Sequence, residues 1–179
     1  MKTFFLFFNL IIVSIILVYT TGCFYSYFYP LKYENEIIEV SDKYNVEPEL
    51  IASMINVESS YREKIISNKG AVGLMQIMPK TAEWVAKKLN KKFSIEFLYN
   101  PKYNIEIGSY YLSYLINYFQ DVNTGICAYN AGIGNVEKWL KDVEFSDNGK
   151  ILKKIPFIET KKYLSRVIKN YHYYKNRFK

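Results

Sequence analysis

Glu58 has the sequence setting best suited to acid–base chemistry. It lies in the segment Pro48 to Ser59, where Ile51, Met54, Ile55 and Glu58 fall on one face at helical spacing. Pro48 suits a first helical position, so Glu58 falls in the last turn. An apolar face and the negative end of the helix dipole both disfavour a carboxylate there. Both effects keep the acid protonated near neutrality, which is what proton donation requires. The plainer alternative is a last-turn glutamate pointing into solvent, and spacing alone favours it.

Two further segments carry groups suited to binding. In Ser67 to Pro79, the close glycines Gly70 and Gly73 let the backbone approach another group. Gln76 offers a donor and an acceptor, and Met75 and Met78 offer flexible apolar lining. In Ala128 to Gly132, Tyr129 has a ring to pack and a hydroxyl to orient a carboxyl group, and Asn130 can bond in both directions to an acetamide. Taken singly, each segment also fits an interhelical turn or a core tyrosine beside a helix end.

The elements that must position these residues are helices. Lys32 to Tyr44 reads as an amphipathic lead-in, and Pro79 opens a helix through Leu89. Asn100-Pro101 opens the longest one, with Ile105, Gly108, Leu112, Leu115 and Phe119 along its stripe. Thr124 to Ala131 is a short apolar helix ended by Gly132, followed by a turn or two over Val136 to Leu140. Residues 141–156 read as a loop around Asp147-Asn148-Gly149, and Leu164, Val167, Tyr171 and Tyr174 mark a C-terminal helix. No stretch shows sustained strand alternation, so the expected class is all-α.

Composition narrows the function classes. Hydrophobic residues make up 50% of the 179 residues, enough for a buried core. The net charge is +7, and its carriers are almost all lysines, which favour diffuse attraction to an anionic polymer over base reading by arginine forks. A general compositional bias toward lysine explains the charge equally well. No nucleic-acid partner is expected. Cys23, Cys127 and His172 are too few and too scattered for a zinc site or a Cys–His or Ser–His nucleophile, so neither metal nor cofactor is expected.

Phe4 to Tyr19 is apolar except for Asn9 and Ser14, and the aromatic-rich character continues to Tyr29. That is enough for a membrane span of about 20 residues. The expected organisation is a signal anchor with a transmembrane helix over residues 1–30 and one extracytoplasmic domain over 31–179. Thr20-Thr21-Gly22-Cys23 resembles a lipoprotein-processing box, which makes a lipid anchor at Cys23 the alternative. The single-pass anchor is preferred because the apolar run passes straight through Cys23.

Four motifs in order resemble the lytic transglycosylase family with the soluble-lytic-transglycosylase, goose-lysozyme-like fold. They are Glu58-Ser59, then Ser67 with Gly70 to Pro79, then Ala128 to Gly132, then Pro156-Phe157-Ile158-Glu159-Thr160-Lys161-Lys162-Tyr163. The resemblance implies a compact lysozyme-like domain acting on peptidoglycan glycan strands, with Glu58 as acid and base. It implies that the Tyr129 hydroxyl bonds Glu58, and that Ser67, Gln76, Met78, Asn130, Glu159 and Tyr163 line the sugar groove. Where the family often has Phe-Asn-Pro after the catalytic Glu-Ser-x, this chain has Tyr61-Arg62-Glu63.

A glycosidase normally needs two carboxyl groups. No second acid occupies a motif position here except Glu159, so a muramyl 6-hydroxyl attacking its own anomeric carbon is the expected nucleophile. Two other functions stay open. A lysozyme-like hydrolase would use a second carboxylate, with Glu63 the nearest in sequence. A non-catalytic wall-binding module would keep the groove without the chemistry.

Overall fold

The structure, a computed structural model, describes residues 9, 11–17, 20, 27–175, 177 and 178. The chain divides into two compact units, Met1–Leu31 and Lys32–Lys179. In the first, residues 11–17 are helical. Cys23 and much of the expected anchor lie outside the described residues. Among the described residues no helix is long and apolar enough to cross a membrane.

The second unit runs α1 (Glu34–Tyr44), α2 (Pro48–Ser59), α3 (Pro79–Lys88), a 3-10 helix (Ile95–Tyr99), α4 (Pro101–Phe119), α5 (Val122–Ala131), α6 (Ile133–Leu140) and α7 (Ile158–Tyr174). Among the described residues there is no strand, only the bridges Ile66 to Val72 and Val72 to Ile77. The class is all-α.

Local chemistry sets most of the boundaries. Prolines open α2, α3 and α4, where the missing N–H has no partner to lose. The Asn100 side chain accepts from the Tyr103 amide at 3.0 Å and caps α4. Asp121 caps α5 by accepting from the Thr124 amide at 2.7 Å, so that helix starts at Val122 rather than at Thr124. Gly132, at φ 87°, ends α5, and α6 begins on the next residue, three earlier than expected. The 3-10 helix was not expected, since five residues of Ile-Glu-Phe-Leu-Tyr carry too little periodicity to mark it.

α2 is the core helix: nine of its 12 residues are buried, among them Ile51, Ala52, Met54 and Ile55 with no exposed surface. α4 packs against α1, α3 and α5, and α7 closes over α2 and α5. A second apolar cluster gathers Leu115, Phe119, Cys127, Ala128, Val136 and Trp139 from α4, α5 and α6. The central position of α2 carries Glu58, on its last turn, to the edge of the core.

Candidate active site

The catalytic candidate is half-buried, on a helix whose last turn holds no basic residue. α2 stops because Ser60 and Tyr61 take left-handed conformations, at φ 51° and 61°. Burial pushes the Glu58 carboxyl up to about 7, although the Tyr163 hydrogen bond and the Arg166 charge pull it down. The group is therefore poised between acid and base near neutrality.

α7 supplies the residues that hold it. Tyr163, buried, donates its hydroxyl to Glu58 Oε1 at 2.6 Å. Three residues on, one turn along the same face, Arg166 Nη2 donates to the Val57 carbonyl at 3.0 Å. It thereby satisfies one of the carbonyls that the end of α2 leaves without a helical partner. One turn before Tyr163, the Thr160 hydroxyl donates to Asn130 Oδ1 at 2.7 Å. These three residues tie both the acid and a groove residue to one helix.

This geometry corrects two expectations. The Tyr129 hydroxyl does not bond Glu58; it donates to the Met75 carbonyl at 2.8 Å. Tyr163 is not a groove-lining residue; it sits behind Glu58 and makes the bond expected of Tyr129. Sequence order gave no means of telling them apart, because both are tyrosines from motif segments and both end next to Glu58.

The Ser67 to Pro79 segment forms the opposite wall. Val72 and Ile77 exchange both backbone hydrogen bonds, at 3.0 and 3.1 Å, and close a tight loop. Gln76 stands at its tip with φ 46°, its amide nitrogen donating to Gly73 O at 2.8 Å and Ile65 O at 3.2 Å. Its donor half is thus committed to the loop, which leaves the carbonyl oxygen for a ligand. Asn104 of α4, fully buried, is the clamp beneath: Oδ1 accepts from the Met75 amide, and Nδ2 donates to Val72 O and Leu98 O. Gly73 must be glycine, since a Cβ there would lie 2.2 Å from Asn104 Nδ2 and 2.4 Å from Leu98 O.

Between these walls lies a groove of about 380 Å³. It is lined by Glu58, Ser67, Gln76, Met78, Tyr129, Asn130 and Glu159, and additionally by Asn68, Lys69 and Ala71. Seven of the eight residues singled out in the sequence therefore meet in one place, with Tyr163 directly behind. Met78 is 43% exposed and forms an apolar lip at the start of α3. Glu159 is mostly exposed, 3.6 Å from the Lys69 ammonium, and so stands as a surface carboxylate beside a surface cation. Glu63 does not line the groove and accepts the Tyr33 hydroxyl instead. Asn104, Thr160 and Arg166 were not anticipated; only the polar Asn104 beside Ile105 and four residues before Gly108 hinted at a buried role.

Comparison with known proteins follows the same outline. The chain is 33% identical over 156 residues to the soluble lytic murein transglycosylase of Salmonella typhimurium, covering 83% of this chain and 24% of that one. It is 45% identical over 89 residues to the membrane-bound lytic murein transglycosylase E of Buchnera aphidicola, covering 48% and 40% respectively. An inactive variant of the lytic transglycosylase Slt from Pseudomonas aeruginosa superposes with a TM-score of 0.74 at 29% identity, over 83% of this chain and 25% of that one. The chain thus spans less than half the length of these relatives. The all-α, lysozyme-like architecture is the one these helices build. The model of the Transglycosylase SLT domain matches residues 35–152, about two thirds of the chain, and the protein belongs to that family.

Proposed function

We propose that this protein is a peptidoglycan lytic transglycosylase, which cleaves the β-1,4 bond between N-acetylmuramic acid and N-acetylglucosamine without consuming water. The observation that carries this reading is a half-buried carboxyl group, pushed up to about 7 by burial and oriented by Tyr163, in an open groove. Glu58 donates its proton to the glycosidic oxygen as the bond to the anomeric carbon breaks. The muramyl 6-hydroxyl attacks that carbon from within the same residue, and Glu58 takes up its proton. One C–O bond breaks and one forms, leaving a 1,6-anhydromuramyl end and a regenerated acid. An intramolecular hydroxyl needs no carboxylate to hold a water, because its effective concentration is already high. The groove supports this economy: its only other carboxylate, Glu159, is solvated beside Lys69. Asn130, Gln76, Ser67 and Met78 would hold the sugars on either side, and Tyr129 would hold the Met75 to Gln76 turn in place.

Mass spectrometry of digested peptidoglycan tests the reaction. Anhydro ends are expected; products heavier by one water, with reducing ends, would instead establish a hydrolase. Intact glycan recovered with tight binding would leave a wall-binding module.

We also propose that residues 1–30 tether the domain of residues 31–179 to the outer face of the cytoplasmic membrane as a single-pass anchor. The apolar run from Phe4 to Tyr19 and a relative named as membrane-bound support this. Cys23→Ser is expected to leave the protein in the membrane fraction. Its release, together with loss of fatty-acid labelling, would replace the anchor with lipid attachment at Cys23.

A further inference from the structure

The turn that follows Glu58 is strained, and a residue from far upstream holds it. Ser60 and Tyr61 are both left-handed, although neither is glycine. Residues 59–65 contain no glycine or proline that could pre-set such a turn. Left-handed backbone costs free energy at each such residue and persists only where surrounding contacts fix it. Part of that fixing is local, since Arg62 Nε donates to the Ser59 carbonyl at 2.9 Å. The rest comes from the two ends of the domain. Tyr61 is only 3% exposed, and a hydrogen bond links it to Tyr174 at the end of α7. Its ring also stacks on that of Tyr33, with centroids 6.5 Å apart and planes inclined by 17°. Two residues beyond Tyr61, Glu63 accepts the Tyr33 hydroxyl.

Tyr33 therefore grips the turn twice, by its ring at Tyr61 and by its hydroxyl at Glu63. It is itself left-handed, at φ 59°, and its carbonyl accepts from the Ile37 amide at 2.9 Å to open α1. Burial and Glu63 push its hydroxyl up to about 12, so it stays a donor throughout the range in which Glu58 titrates. The gripped turn joins the two walls of the site. Glu58 lies three residues before Tyr61, and Ile65 lies two after Glu63. The Ile65 carbonyl accepts from the Gly73 amide at 3.0 Å and from the Gln76 side chain at 3.2 Å. Whatever fixes residues 60–63 thus fixes how deep Glu58 sits and where the Gln76 loop stands relative to it.

We propose that Tyr33 is a positioning residue for the reaction: through Tyr61 and Glu63 it holds the turn that keeps Glu58 withdrawn from solvent and in register with the Gln76 loop. The inference rests on Glu58 being the acid, as proposed above. Tyr33 does not line the groove, so it acts through the turn and not on the substrate. Loosening the turn admits water to Glu58 and weakens the burial that holds its carboxyl protonated. The alkaline limb of kcat/KM then moves to lower pH, opposite to the shift expected when the Tyr163 bond is lost. Tyr33 follows Leu31, where the first compact unit ends, by two residues. The segment that leads into the domain thereby carries a residue that tunes its activity.

The test follows peptidoglycan digestion by the full-length protein from about pH 5 to about pH 9. Tyr33→Ala is expected to lower kcat about tenfold with KM within about twofold, and to move the alkaline limb down by about half a pH unit or more. Tyr33→Phe keeps the stacked ring, which guards against a folding defect, and should lose about threefold by giving up the bond to Glu63. Glu63→Leu should reproduce Tyr33→Phe, and Glu63→Gln, which still offers an acceptor, should recover much of that loss. Tyr33→Phe combined with Glu63→Leu should be no worse than either alone, because both remove the same bond. A lower Tm in Tyr33→Ala, with rate and limb unchanged where the protein is folded, makes Tyr33 a structural residue and overturns the proposal. So does an additive loss in the double variant. Glu58→Gln, assayed alongside, separates the two readings. If it cuts at the normal rate, the acid assignment fails and the proposal with it; if it is inactive while the Tyr33 variants match wild type, only the positioning role fails.

Discussion

At Glu58 three influences meet in one carboxyl group: burial, a donated hydroxyl and a guanidinium on the preceding carbonyl. Burial wins, and the folded acid titrates near 7 where a free glutamate titrates near 4.5. The protonated form is therefore the one the fold prefers, so this group's stability cost is absent below about pH 4.5 and grows as pH rises through 7. Glu58→Gln is expected to abolish cutting at every pH. It should also raise stability at about pH 8 relative to wild type by at most about 3 kcal/mol, and by less where solvent screens the charge, with no gain at about pH 4. Paired denaturant titrations at those two pH values measure the difference. The two tyrosines beside Glu58 should separate in the same assays. Tyr163→Phe removes a bond that lowers the acid's pKa, so the alkaline limb of kcat/KM should move to higher pH while kcat falls. Tyr129→Phe frees only the Met75 carbonyl, so it should raise KM, leave the pH profile in place, and cost about 1 kcal/mol in stability. Identical pH profiles in wild type and Tyr163→Phe would remove Tyr163 from the mechanism.

At the scale of elements, α7 does for the site what α4 does for the loop. α7 aligns Thr160, Tyr163 and Arg166 at three-residue spacing, so a single rigid helix orients Asn130, Glu58 and the end of α2 together. Arg166→Gln is expected to shift the alkaline limb upward like Tyr163→Phe, but by less, because its pull on Glu58 is the weaker of the two. A purely structural arginine would lower Tm and leave that limb where it is. α4 places Asn104 under the Val72 to Met75 turn, and the clamp makes three hydrogen bonds. Asn104→Leu strands the buried Met75 amide and takes the Asn104 donor from the Leu98 carbonyl, while Val72 O keeps its bond from the Ile77 amide, so a loss of about 3 kcal/mol is expected in denaturant unfolding. A loss under about 1 kcal/mol would mean the loop holds itself.

For the whole molecule, charge is the distributed property that bears on substrate. The net +7 is spread mainly over lysines, and the stems of peptidoglycan, the substrate proposed above, carry carboxylates. Diffuse attraction of this kind speeds encounter and is screened by salt, with a Debye length of about 10 Å at 0.1 M. Raising ionic strength from about 0.05 to about 0.5 M should therefore raise KM on intact sacculi and leave kcat nearly unchanged. A kcat that falls in parallel would place the salt effect on the site rather than on approach.

The sequence by itself determined the all-α class and most helix starts, because these depend on local signals: apolar periodicity, proline at N1, and glycine at special φ. The groove segments were legible only through the motifs' resemblance to a family. Pro48, Pro79 and Asn100-Pro101 each mark a helix the structure contains. The motif residues from Glu58 to Glu159 converge on one groove although 101 positions separate them. Tertiary structure alone decided which tyrosine reaches the acid. Tyr129 and Tyr163 are alike in residue type, and only the packing of α7 against α2 sends one hydroxyl to Glu58 while the Met75 carbonyl captures the other. The same holds for Arg166 and Asn104, whose roles depend on a carbonyl or a turn that lies 109 or about 30 residues away. Long-range hydrogen bonds leave no period in a sequence; they exist only once the helices have docked.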